Sequence, residues 1–256
     1  MPASGSPTFD DLGEPVPVSS PVRVVSLVPS LTDAIETSAP GMIAGATDYC
    51  THPPSLTVPR VGGSKYPDVS RVLDLQPDLV VANAEENRPE DVDQLRANGV
   101  PVWVTSAAAS VPDGLRSVRR LLTQGLDLAE PDWLVEAERL WAVKIPVRMR
   151  AIIPVWRRPW VVIGRDTFAG DVLLRLGVAN VFSDHSQRYP RPRLAELHAQ
   201  DMDLVVLPDE PYLFTDSDGP EAFPRMPYIL INGRHLTWCG PSLVDAHETI
   251  SHALAI

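Results

Sequence analysis

The chain is short of cysteine, has no surplus of positive charge and carries no long hydrophobic run, and each shortage excludes a class of protein. Its two cysteines, Cys50 and Cys239, lie far apart in 256 residues. They do not make a disulfide framework, and a reduced compartment suits them. Acidic residues outnumber basic ones, 33 to 22, giving a net charge of −11. Nucleic-acid binding draws its affinity from clustered Lys and Arg, so no nucleic-acid partner is expected, and an anionic membrane surface is disfavoured by the same argument. No stretch approaches the ~20 apolar residues of a membrane helix, so no membrane insertion is expected. Residues 1–21, MPASGSPTFDDLGEPVPVSSP, have neither a basic start nor an apolar core. They read as a disordered leader rather than a signal peptide, and with no lipid-attachment Cys nearby the expected location is the cytoplasm. Catalytic signatures are missing too: there is no Walker loop, GxGxxG, GxSxG or HExxH.

What is present is apolar material, 44% of the chain, enough for one large domain or two ordinary ones. RVVSLV at 23–28 reads as a buried parallel strand stopped by Pro29, with Ser30 and Thr32 able to cap the following helix. Strands at 42–47, 79–82 and 100–105 alternate with helices at 69–75, 90–98 and 111–124, Gly99 closing the second of these. Such alternation argues for a parallel sheet covered by helices. PDWLVEAERLWAVK, 131–144, predicts one helix: Pro131 fits its first position, and Trp133, Ala137, Leu140, Trp141 and Lys144 recur on one face. Beyond it the pattern restarts, with strands at 151–156 and 160–164 and a helix at 167–176. HAQDMDLVVLPDE from His198 echoes LDLQPDLVVANAE from Leu73, an internal pseudo-repeat. Strands at 228–231 and 236–238 around an Asn232-Gly233 turn, then a helix at 243–254, complete the chain. The fold expected is α/β, two Rossmann-like lobes with parallel sheets joined by a backbone helix. The boundaries are a 1–21 leader, a 22–110 lobe, connecting helices over 111–147 and a 148–256 lobe.

Ligand sites in such sheets lie beyond the carboxyl ends of the strands. Glu85, Glu86, Asn87 and Arg88 follow a predicted strand directly, and Asp209, Glu210 and Tyr212 hold the matching place in the second half. Paired acidic loops would favour a basic ligand or a metal. Trp156, Trp160, Tyr189, Tyr212 and Trp238 fall mostly at strand ends or loops, where rings make walls for a flat or bulky organic ligand, although rings also fill cores. Cys50 with His52, and Cys239 with His185, offer a soft donor set from two lobes. Cys-x-His is no structural zinc signature, and a buried Cys beside a polar loop His is the commoner arrangement.

RVVSLVPSLTDAI, GATDYCTHPP, PRVGG and LDLQPDLVVANAEEN together make the chain resemble the helical-backbone metal receptors. These are the class III substrate-binding proteins that capture cobalamin, haem and ferric siderophores for ABC importers. The likeness runs over about 22–254 and is looser in the second half. It implies a ligand clasped between two lobes that open little. It also implies ligand contacts from Pro29, Ser30, Tyr49, Ser64 and Lys65 in the first lobe, and from Trp156, Trp160, Tyr189 and Trp238 in the second. The chain departs from the pattern where cobalamin receptors tend to carry an Arg, near Trp238. Ser70 and Ala195 stand where importer-coupled members present a docking Glu. The expectation is a monomeric, non-enzymatic binding protein for a metal chelate, with no cofactor of its own and uncoupled from an importer. A chelatase-like or other metal-handling enzyme is the alternative.

Overall fold

The computed structural model describes residues 8–17 and 20–255. The chain divides into two compact units: unit 1 runs through Ala107 and adds Gly114–Val135 and Cys239–Pro241, and unit 2 takes Ala108–Asp113, Glu136–Trp238 and the chain from Ser242.

Unit 1 opens with a small antiparallel pair, β1 (Thr8–Phe9) and β2 (Pro15–Val16). Its main elements are β3 (Val24–Ser26), α1 (Pro29–Ser38), β4 (Ile43–Ala46), α2 (Val69–Asp74), β5 (Leu79–Asn83), α3 (Pro89–Ala97) and β6 (Val102–Thr105). The strands form a parallel four-stranded sheet in the order β4-β3-β5-β6. Successive side chains of a strand face opposite ways, so each strand feeds a core on either face. Val24, Leu79, Val81 and Trp103 join α1 on one face, while Val25, Val80, Val102 and Val104 meet α2 and α3 on the other.

The chain enters unit 2 at Ala108 and returns to unit 1 at Gly114, inside α4 (Val111–Arg120), which runs on as a wider π-helical turn over Leu121–Gly125. The division between units falls again inside α5 (Asp132–Trp141). The first part of α5 belongs to unit 1, where Trp133 Nε1 donates to Ser38 Oγ at 3.0 Å. Its last part belongs to unit 2, where Trp141 Nε1 donates to the Leu243 carbonyl at 2.8 Å.

Unit 2 contains β7 (Met149–Ile152), β8 (Pro154–Trp156), β9 (Val161–Val162), α6 (Phe168–Arg175), β10 (Val178–Asn180) and α7 (Leu194–His198). After these come β11 (Leu204–Pro208), β12 (Tyr228–Ile231), α8 (Gly233–Thr237) and α9 (Ser242–Ala253). Its parallel sheet has the order β10-β7-β11-β12, the same order of succession as in unit 1.

Three expectations need correction. The leader is ordered where it is described: Asp10 accepts from Leu12 N and Glu14 N at 2.9 Å and from Arg96 at 2.9 Å, and Val16 enters the unit 1 core. Asp11 adds bonds to Ser117 and Arg120, so acidic residues that look solvated in the sequence are buried against arginines far along the chain. The predicted disorder of residues 1–7, 18 and 19 lies outside the described residues. Second, 151–156 is not one strand. Pro154 has no N–H for the parallel ladder, and the chain leaves β7 to pair β8 antiparallel with β9. Third, 236–238 is no strand and Asn232-Gly233 no hairpin turn. Asn232 is extended, at φ −65° and ψ 116°, and its side chain caps α8 by accepting from Arg234 N at 2.9 Å. Gly233 is required because a Cβ there would stand 2.4 Å from Glu210 Cγ and 2.7 Å from its carbonyl.

Candidate functional site

In unit 1 the strand ends converge on a rim. Pro29 and Ser30 form the first turn of α1, both half-buried, directly after β3. Tyr49, 64% exposed, follows β4, with its ring 3.5 Å from where a Cβ on Gly63 would be, so that turn leaves the ring its place. Gly62 takes φ +84°, a conformation that suits glycine, and carries the chain to half-buried Ser64 and exposed Lys65. After β5, Glu85 is exposed and Glu86 half-buried. Asn87 turns inward and is only 3% exposed, donating to the Ser64 and Leu27 carbonyls at 2.8 and 3.3 Å. Arg88 chelates Asp91 at 2.6 and 2.8 Å over the Tyr66 ring, 4.7 Å from its centroid, and the Asp91 hydrogen bonds hold its pKa up. Asn87 and Arg88, expected to meet ligand, are thus engaged with the protein itself.

In unit 2, Trp156 ends β8 and is 45% exposed, meeting Tyr212 edge-on at 5.7 Å. The Tyr212 hydroxyl donates to Asp218 at 2.5 Å, which raises the phenol pKa and holds the carboxyl below its usual range. Arg157 pairs with both Asp218 and Glu221 and lies over the Trp160 ring, 5.3 Å from its centroid. Trp160 stacks on Phe214 and meets Phe223 edge-on at 5.5 Å, packed against the core of unit 2. The ring is half-buried there. Trp238, at the C-cap of α8, is 7% exposed under the Arg234 guanidinium, which corrects its reading as a pocket wall. Asp209 accepts from Gly233 N at 2.6 Å. Beside it, half-buried Glu210 has its carboxyl pKa raised by lost solvation and then by the Asp209 charge. Tyr189 lines an open groove of about 980 Å³ with Phe182, His185, Arg188 and Arg191.

The soft donor set does not assemble. Cys50 is fully buried between the hydroxyls of Thr32 and Thr47, at 3.0 and 3.2 Å, and burial pushes its thiol pKa up. Burial likewise pushes up Cys239, which packs on the unit 1 core. His52 bonds Thr51 at 3.1 Å, and His185 Nδ1 accepts from Gln187 N at 3.0 Å. Among the described residues no three His, Cys, Asp or Glu side chains gather as metal ligands. Ser70 and Ala195 are both exposed on their helices, and Ser70 Oγ donates to Asp68 at 2.9 Å. Among the described residues no helix is long and apolar enough to cross a membrane.

Sequence reasoning missed Arg157, Asp218 and Tyr66, which brace the side chains at these strand ends. The run WRRPW at 156–160, two arginines between two tryptophans at the close of a strand, was the available signal.

Comparison with profiles of known protein families gives no match for this chain. Against curated proteins it is similar to the vitamin B12-binding protein of Pectobacterium carotovorum, 23% identical over 247 residues, covering 91% of this chain and 88% of the relative. Among solved structures it is similar to the periplasmic vitamin B12 binding protein of Vibrio cholerae, at TM-score 0.71 and 17% identity over 92% of this chain and 97% of that one. A periplasmic haem binding protein of Pseudomonas aeruginosa matches at TM-score 0.75 and 23% identity, covering 91% and 92% of the two chains. These relatives are named as binding proteins rather than enzymes. The solved ones are periplasmic, which overturns the cytoplasmic location expected from the sequence. Over most of its length the chain is thus similar in sequence, at 23% identity, to vitamin B12-binding proteins, and it shares the two-lobed α/β fold of the periplasmic vitamin B12- and haem-binding receptors.

Proposed function

We propose that this chain is a non-enzymatic substrate-binding protein of the ABC-transporter type, whose ligand is a metal chelate of the cobalamin, haem or ferric siderophore kind. The observation that carries the reading is the Trp156 ring. A tryptophan left 45% exposed at a strand's carboxyl end, braced edge-on by Tyr212, serves no core. A flat or bulky organic ligand is what such a ring accommodates. Tyr49 offers unit 1 a comparable exposed ring, with Lys65 and Glu85 on the same set of strand-end loops. Because Cys50, His52 and His185 bond within the protein and no three metal-ligating side chains gather among the described residues, the ligand brings its metal already bound within an organic frame. Ser70 and Ala195 lack the carboxylate that docks importer-coupled members, so any permease contact at these helices uses different chemistry. The test is calorimetric titration with cyanocobalamin, haemin and two ferric siderophores, with zinc chloride as control. Saturable heat from one chelate, lost in Trp156→Ala, is expected. Heat from zinc alone would favour a metal-handling enzyme, and silence from every chelate would overturn the reading.

A further inference from the structure

Side-chain hydrogen bonds tie the strand-end loops of unit 1 into a closed ring. Asn87 Nδ2 donates to the Ser64 carbonyl at 2.8 Å and to the Leu27 carbonyl at 3.3 Å. Ser64 Oγ lies 3.3 Å from Thr47 Oγ1, which lies 3.2 Å from Cys50 Sγ. Cys50 Sγ is 3.0 Å from Thr32 Oγ1, and Thr32 Oγ1 donates to the Val28 carbonyl at 3.0 Å. Val28 adjoins Leu27, so the circuit returns to Asn87. A branch runs outward. Asn87 Oδ1 accepts from Asn83 N at 2.8 Å, and Asn83 Nδ2 reaches Thr105 Oγ1 and the Ser106 carbonyl at 3.0 Å each. The loops after β3, β4, β5 and β6 and the Gly62-Gly63 turn are all included.

We propose that Asn87 is the positioning residue of this rim, and that the ring makes the ligand-facing loops one cooperative body, set before any ligand arrives. Only an amide side chain supplies two donors and an acceptor from one planar group. An Asp would turn a carboxylate toward two carbonyls, and an Ala would leave the Leu27 and Ser64 carbonyls and the Asn83 N–H without this partner in a buried place. Unmade buried bonds are costly, so the loops would open to recover them from water. Ordering loops in advance removes an entropic cost from binding. The functional meaning of the ring rests on the reading that this rim meets the ligand, whereas the ring itself is testable with no ligand present.

The reporter is Cys50, across the ring from Asn87. In a Cys239→Ser background it is the sole thiol of a chain with two cysteines. Iodoacetamide alkylation of Cys50 and amide exchange by mass spectrometry are measured on the ligand-free protein. Asn87→Ala is expected to raise the alkylation rate about tenfold or more. Exchange should quicken together at 27–32, 47–52 and 62–66 while β5 stays protected. Asn98→Ala, an exposed amide at the opposite end of α3, should change neither. An unchanged Cys50 rate in folded Asn87→Ala, or quickened exchange confined to 83–88, would overturn the ring. So would alkylation that rises only along with loss of β5 protection, since that is global unfolding. Should Asn87→Ala fail to fold, Ser64→Ala cuts the same circuit with less lost, and a Cys50 rate unmoved there overturns it equally. Failure of the chelate titration with these results intact would remove the ligand and leave the ring standing.

Discussion

Trp156 and Trp238 bring the same side chain to opposite circumstances. Trp238 is 7% exposed beneath Arg234, and truncating a buried tryptophan typically costs about 3–5 kcal/mol. Trp238→Ala should therefore lower the urea midpoint severely. Trp156 loses only its edge-on contact with Tyr212, worth about 0.5–1.5 kcal/mol. Trp156→Ala should leave the midpoint nearly in place while abolishing chelate heat, so the pair separates packing from binding in one urea series. The sequence places both rings at element ends, yet which way each turns depends on partners distant in the chain, Tyr212 for one and the helix of Arg234 for the other. Glu210 makes a third case. Burial and the Asp209 charge raise its folded pKa, so between its ordinary pKa and the raised one the folded chain holds more protons than the unfolded chain. Stability from this group falls as pH rises through that window. Glu210→Gln should raise the melting temperature at pH 8, with the gain shrinking as pH falls through the window and absent below it. A gain that is constant with pH would show that charge burial is not its source.

At the scale of elements, periodicity reads the regular helices well and misses local departures caused by a single large neighbour. The apolar pattern of 111–124 predicts one helix, and the chain does run helically from Val111, but the last turn widens to a π form closed by Leu126 N bonding the Leu121 carbonyl at 2.9 Å. The cause is legible only in three dimensions. Trp103 is fully buried beside Gly125, and a Cβ on Gly125 would stand 2.8 Å from the indole. Widened turns recur where a helix must pass an obstacle. Gly125→Ala should cost about 1–3 kcal/mol by overpacking, read from urea denaturation. Gly125→Ala with Trp103→Phe should recover part of that loss, because the smaller ring yields the space. The leader teaches the converse. Asp10 and Asp11 look like a solvated acidic tail, and their arginine partners, Arg96 and Arg120, stand 86 and 109 residues away, beyond the reach of any local pattern.

At the scale of the whole molecule, the repeat glimpsed in DLVV proves to be topological. Counting only its own strands, each parallel sheet runs in the order second, first, third, fourth, and the two DLVV segments open the third strand of each sheet, β5 and β11. The correspondence reaches single atoms. Asp78 N donates to the Arg23 carbonyl at 2.9 Å, and Asp78 Oδ2 accepts from Arg23 N at 2.9 Å. In unit 2, Asp203 N donates to the Arg150 carbonyl and Asp203 Oδ2 accepts from Arg150 N, both at 2.8 Å. Each Asp thus fastens the start of the third strand of its sheet to the start of the first, Arg23 just before β3 and Arg150 within β7, which gives so short a motif the same task in both halves. Asp78 Oδ2 also accepts from Val22 N at 3.0 Å, whereas among the described residues the Asp203 carboxylate accepts from no backbone amide besides Arg150 N. Asp78→Ala should accordingly cost more than Asp203→Ala, with about 1 kcal/mol per bond lost at these exposed clamps as the scale. The sites share no partners and lie in separate units, so in the double variant the losses in urea stability should sum to within about 0.5 kcal/mol. A double variant that loses much less than the sum would mean the two clamps do not act independently, and the parallel between the units would then be one of sequence and geometry without a matching energetic role.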